Sequence, residues 1–253
     1  MTGSAGITRP QPGQAAVEAG PLLLVAVGAW AGTVLLAHGM AGMSGTMGLG
    51  LASFVPVWTL MMAAMMLPSV APAASRYARS GASRRTARTA GLAAGYLAVW
   101  AAAGVPAFGL AWLAGWLTGR HPGAAHILAV AVFAACGVYQ LSGPKDRCLT
   151  HCRAPLPLTG RGRWPGDLAA GVRHGAYCLG CCWGLMVILV AVGVMNVGAM
   201  VGLAVVVLTE KTLGWGPVAG RAFGVAALGL AVAIIWLPRL APGLHAAPPM
   251  TMG

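Results

Sequence analysis

The chain has 253 residues, 58% of them hydrophobic and 8% charged, and its 16 lysines and arginines against 4 acidic residues give a net charge of +12. Soluble globular domains carry about 25% charged residues, so this composition argues against a soluble enzyme or binding domain and for a polytopic membrane protein. Nor does the basic surplus point to nucleic acid: the bases sit in short segments between apolar runs, where membrane topology and anionic lipid account for them.

Residues 1–20 are polar and rich in Gly and Pro, and a disordered cytoplasmic N-terminus is expected there. No small-residue cleavage site follows cleanly, so a retained first helix is expected rather than a cleaved signal. Apolar windows predict helices at 21–37, 50–70, 90–117, 124–142, 176–195, 197–210 and 221–238. The expected fold is all-α, a transmembrane helical bundle over residues 21–240. It has about seven spans, with six as the alternative because 197–210 is short for a span of about 20 residues. A Cys/Arg loop is expected at 143–175 and a Met/His-containing tail at 241–253. Abundant glycine suits close helix–helix approach in a bilayer.

Loop charge orients the chain. The stretch "SRYARSGASRRTAR" carries Arg76, Arg79, Arg84, Arg85 and Arg88 and no acid. Residues 144–173 carry Lys145, Arg147, Arg153, Arg161, Arg163 and Arg173. Both stretches are expected in the cytoplasm of a multi-pass inner-membrane protein. Residues 38–48 and 118–123 then fall outside, as does the tail if the spans number seven. This sorts the soft donors. His38, Met40, Met43 and Met47 in "HGMAGMSGTMG" fall outside with His245, Met250 and Met252, and the cysteine-rich segments fall inside. Thioethers survive an oxidising compartment, where exposed thiols tend to form disulfides.

Along the second apolar run, "WTLMMAAMMLPS" places Met61 and Met65 on one helical face and Met62 and Met66 on the next. They are either core packing residues or weak soft ligands between the outer methionines and the interior. Pro68 and Pro72 are expected to end or kink that helix. Cys136 stands alone in an apolar run and reads as a packing residue. Cys148 and Cys152 follow, four apart with His151 between them. Next comes "YCLGCCW", with Cys178, Cys181 and Cys182. On a helix these three share a side with His174 one turn before and Met186 one turn after. The Pro/Gly-rich segment between the two groups can fold back and join them.

Five clustered cysteines flanked by bases read in three ways: packing residues, a thiol–disulfide or quinone-linked relay, or a metal site. Thiolates are the metal-competent form, and nearby cations favour them. Soft thiolate and thioether donors select Cu(I), with zinc or an iron–sulfur cluster less well matched. The expected metal ligands are Cys148, Cys152, Cys178, Cys181 and Cys182, with His174 and His151 as auxiliaries. Met40, Met43, Met47, Met61, Met62, Met65 and Met66 form a secondary set. A relay would need a thiol pair on the oxidising side, and this topology leaves none there. Glu210 and Lys211 read as an interfacial anchor, with Lys211 reaching the headgroups. Alternatively Glu210 meets Lys145 or Arg173 and holds the cysteine segment in place.

Four blocks, "WTLMMAAMMLPS", "GVYQLSGPKDRCLTHCRAP", "GVRHGAYCLGCCWGLM" and "GVMN…LTEK", resemble the signature blocks of a bacterial family. Its members are described as predicted metal-binding integral membrane proteins, some labelled copper chaperone. The resemblance spans roughly residues 50–240. It implies a multi-span helical fold and a soft-metal role, and it singles out the methionine quartet, Lys145, the five clustered cysteines, Arg153, His174, Asn196, Glu210 and Lys211. The expected function is Cu(I) delivery, sequestration or transfer. The expected partners are the metal, membrane lipid, and a soluble metal carrier or another membrane protein. No P-loop pattern is present to couple ATP.

Overall fold

The computed structural model describes residues 12–40, 43, 45–79, 85–156 and 164–244, with side chains in the first helix described from Gly20. Among these residues there are eight α-helices and no strand. They are α1 (Pro12–Met40), α2 (Leu51–Arg79), α3 (Arg85–Arg120), α4 (Pro122–Gln140), α5 (Gly143–Arg153), α6 (Trp164–Val192), α7 (Val197–Thr212) and α8 (Gly216–Trp236). Short 3-10 turns follow at Pro238–Leu240 and Pro242–Leu244. His245, Met250, Met252, Arg84, Arg161 and Arg163 lie outside the described residues.

Six helices are long and apolar enough to cross a membrane: α1 from Gly20, α2, α3, α4, α6 and α8. Six is the lower of the two counts expected. The difference is α7, whose 16 residues fall just short of the roughly 17 a span requires. It still carries the chain from the 193–196 turn back to the depth of Cys178, where Lys211 touches that sulfur. Gly193 makes the turn at φ 110°, a left-handed conformation that suits glycine. Asn196 then caps α7 by accepting from the Ala199 amide at 3.0 Å.

Three boundaries differ from the sequence expectation. Helix α1 begins at Pro12, inside the stretch expected to be disordered. Proline suits a first helical position, and the Gln, Ala and Glu that follow favour helix. Residues 1–11 lie outside the described residues. The expected loop 143–175 is largely helical, holding α5 and the first turns of α6. Ser142 caps α5 by accepting from the Lys145 amide, Pro144 opens it, and Asp146 sits in its first turn. Helix α2 runs past Pro68 and Pro72 to Arg79. Membrane-spanning helices tolerate proline because neighbouring groups can satisfy the carbonyls it frees.

The core lies along α2 and α6. Helices α3 and α6 meet without intervening side chains: a Cβ on Gly95 would strike the Leu168 carbonyl, and one on Gly171 the Leu92 carbonyl. Glycine at both contacts permits that approach. The two basic stretches lie at one end of the bundle. Asp167 of α6 accepts from the Tyr77 hydroxyl of α2 at 2.7 Å and pairs with Arg88 of α3 at 3.5 Å. At the opposite end, Gly45 abuts Gly115, and Gly243 abuts the α6 terminus at Val190 and Gly193.

Candidate metal centre

Helix α6 buries one stripe consisting of His174, Cys178, Cys181, Cys182 and Met186. Helical spacing puts these residues in register, and α3, α4 and α5 pack against this helix. Helix α5 crosses beside them and inserts Cys152. The sulfurs of Cys152, Cys178 and Cys181 lie within 4.8 Å of one another. Cys181 Sγ is 3.7 Å from Cys152 Sγ and 3.3 Å from Cys182 Sγ. A metal about 2.3 Å from each of three sulfurs would hold them about 4 Å apart, close to the spacing found. All six cysteines are free thiols.

Three polar groups surround this set. Lys211 of α7 donates to Cys178 Sγ at 2.7 Å and to Ser69 Oγ of α2 at 3.3 Å. The Tyr96 hydroxyl of α3 lies 2.9 Å from Cys178 Sγ. Five helices, α2, α3, α5, α6 and α7, therefore converge on one sulfur or its immediate partners. The ammonium supplies a positive charge against thiolates in a buried site, where unbalanced charge is costly. Cys152 lies on α5, outside the long apolar helices. Its hydrogen bond to Cys178, reinforced by burial, pushes its thiol above the ordinary range.

The remaining expected ligands are distributed around this centre. Cys148 is half-buried, with its sulfur in the space that a side chain on Gly180 would fill. His174 is buried, its ring 6.0 Å from that of Tyr96. His151 is exposed; its Nδ1 lies 2.8 Å from the Arg147 carbonyl and its ring stacks on Tyr177 at 4.5 Å. Cys136 is buried in α4 against Gly184 of α6, as a packing residue would be. Met61, Met62, Met65 and Met66 are all fully buried in α2. Met65 and Met66 sit one turn from Ser69, so the quartet leads away from the thiols along α2. At the far end Met40 is half-buried, Met43 exposed and Met47 buried.

Two residues at the centre carry no signal in the sequence. Tyr96 is a single tyrosine in an apolar run, and Ser69 reads as the end of a methionine block. Lys211 had a signal that pointed the wrong way: it does not extend to headgroups but turns inward to Cys178. Glu210 is no interfacial anchor either. It is buried and pairs with Lys145 at 2.8 Å, while Arg173 is exposed.

Fold and thiol set together define a polytopic helical protein built around a buried group of sulfur donors. Residues 55–234 match the family described as PpoB2, copper chaperone, and the chain belongs to that family. No curated protein and no solved structure matches the chain.

Proposed function

We propose that this protein is a multi-pass inner-membrane copper handler that takes Cu(I) as cargo on Cys152, Cys178 and Cys181. Cys182 stands by as a further thiolate, Cys148 lies at the rim, and His174 is an auxiliary donor beneath. The observation that carries the reading is the meeting of Cys152 with the α6 thiols. Cys152, 26 positions or more before the two α6 cysteines, comes with them to put three sulfurs within 4.8 Å, a convergence that packing alone does not require. The family description supports copper over other soft metals, and Cu(I) is well served by three thiolates, whereas structural zinc prefers four ligands. A cytoplasmic position for the centre is supported by the positive-inside rule, since Arg79, Arg85, Arg147 and Arg173 lie at the same end of the bundle. Delivery, sequestration or transfer would each use this site. The outer methionines and the α2 quartet would serve a transfer role as weaker sites on the opposite side.

The test is Cu(I) titration of the protein, purified in detergent under reducing conditions, against a chromogenic Cu(I) chelator. Cys181→Ser is expected to lower affinity by at least tenfold, and Cys136→Ser to leave it unchanged, because a hydroxyl is a poor soft-metal ligand. Equal affinity in both variants overturns the assignment. Protein isolated metal-free with a disulfide among these cysteines would favour the thiol-relay reading instead.

A further inference from the structure

Cys152 is the one member of the three-thiol group that α6 does not carry. Its position depends on α5, a helix of 11 residues. Isolated helices that short are marginal in water, so tertiary contacts must hold α5 in register. Both of its ends are tied to a single residue. Near the start of α5, Lys145 Nζ donates to Glu210 Oε1 at 2.8 Å. At its end, Arg153 donates to the Glu210 backbone carbonyl at 2.6 Å. Gln140, just before α5, donates to the same Oε1 at 2.9 Å. Lys145 and Glu210 are each 1% exposed. Space for the pair comes from Gly220 of α8, where a Cβ would lie 2.7 Å from Lys145 Nζ. The next residue of α7, Lys211, donates to Cys178. The end of α7 therefore touches both halves of the thiol set, α5 through Glu210 and α6 through Lys211.

A buried ion pair contributes little net stability and is better attested as a device that fixes register. We propose that Glu210 is a positioning residue of the metal centre, which clamps α5 at both ends so that Cys152 meets Cys178 and Cys181. This rests on the three-thiol reading above. Groups that orient metal ligands without touching the metal alter affinity by about 10–100-fold when changed, and a clamp acting through Cys152 is expected in that range.

The experiment is a double-mutant cycle on the full chain in detergent, reading Cu(I) affinity by chelator competition and Cys152 alkylation by a maleimide. Glu210→Gln is expected to lower affinity by about 10–100-fold and to speed labelling of Cys152. In a Cys152→Ser background it is expected to cause no further loss, because the residue through which it acts is gone. Asp167→Asn disrupts a different buried pair and is expected to leave affinity unchanged. If Glu210→Gln fails to fold, the double variant Lys145→Met with Glu210→Met removes the pair without stranding a charge and is expected to show the same loss. Equal losses with and without Cys152 overturn the proposal, as does an equal loss from Asp167→Asn. So does native affinity in a folded Glu210 variant when Cys152→Ser is impaired. Native affinity in Cys152→Ser itself overturns the three-thiol reading and the clamp with it.

Discussion

At the scale of single residues, the proposed centre would set a proton against a metal at Cys152. Its thiol holds its proton above the ordinary range because it hydrogen-bonds to Cys178 and is buried. A metal must displace that proton, since thiolate is the ligand form. Apparent Cu(I) affinity should therefore rise with pH through neutrality and beyond, by about tenfold per pH unit for each proton displaced. Chelator competition across neutral and mildly alkaline pH measures the slope. Cys152→Ser should reduce it by one proton, and an unchanged slope would mean that Cys152 does not bind. The α6 thiols are legible in the sequence because helical spacing alone aligns them. Tyr96 and Ser69 are not, since Tyr96 reaches Cys178 through the packing of α3 on α6 and Ser69 reaches Lys211 through the packing of α2 on α7, and no local pattern encodes either.

At the scale of elements, the close approach of α3 and α6 sets the wall of the site. A Cβ on Gly171 would lie against backbone atoms of Leu92 and Tyr96, which cannot rotate away. Gly171→Val should therefore force the helices apart and destabilise the protein by about 1–3 kcal/mol. It should also loosen the Tyr96–Cys178 contact and make Cys178 more reactive to alkylation. A methyl group added at Gly202 would meet nothing within 4 Å, so Gly202→Ala serves as the control. Thermal unfolding in detergent and maleimide labelling read both effects, and equal behaviour of the two variants would deny the crossing this role. Among the elements, the long apolar helices were visible as hydropathy windows. Helix α5 was not, because its eleven residues are polar and its helicity comes from the Ser142 cap and its anchorage on Glu210. Its basic residues read instead as a loop.

At the scale of the whole molecule, the bundle has two chemically distinct ends. Arg88 and Asp167 meet at one, and Gly243 lies against the α6–α7 turn at the other. Because α7, too short to count as a span, still returns the chain from that turn to the level of Cys178, a reporter inserted after Arg88 should be cytoplasmic and one fused to the C-terminus external, as protease or alkaline-phosphatase accessibility would measure. Both reporters on one side would contradict this arrangement and remove the external methionines from any transfer route. The charge asymmetry behind this orientation was legible from the sequence, but the depth of the thiols was not, because it depends on how far α7 returns into the bundle. The ion pairs carry a separate consequence. Three acidic side chains, all beyond α1, each have a basic partner: Asp146 with Arg221, Asp167 with Arg88 and Glu210 with Lys145. Magnesium, calcium and manganese are held by carboxylates, and here each of those three groups is engaged. Those pairings set these three carboxylates apart from the thiol group, so at the buried point where Cys152, Cys178 and Cys181 meet the gathered donor is sulfur.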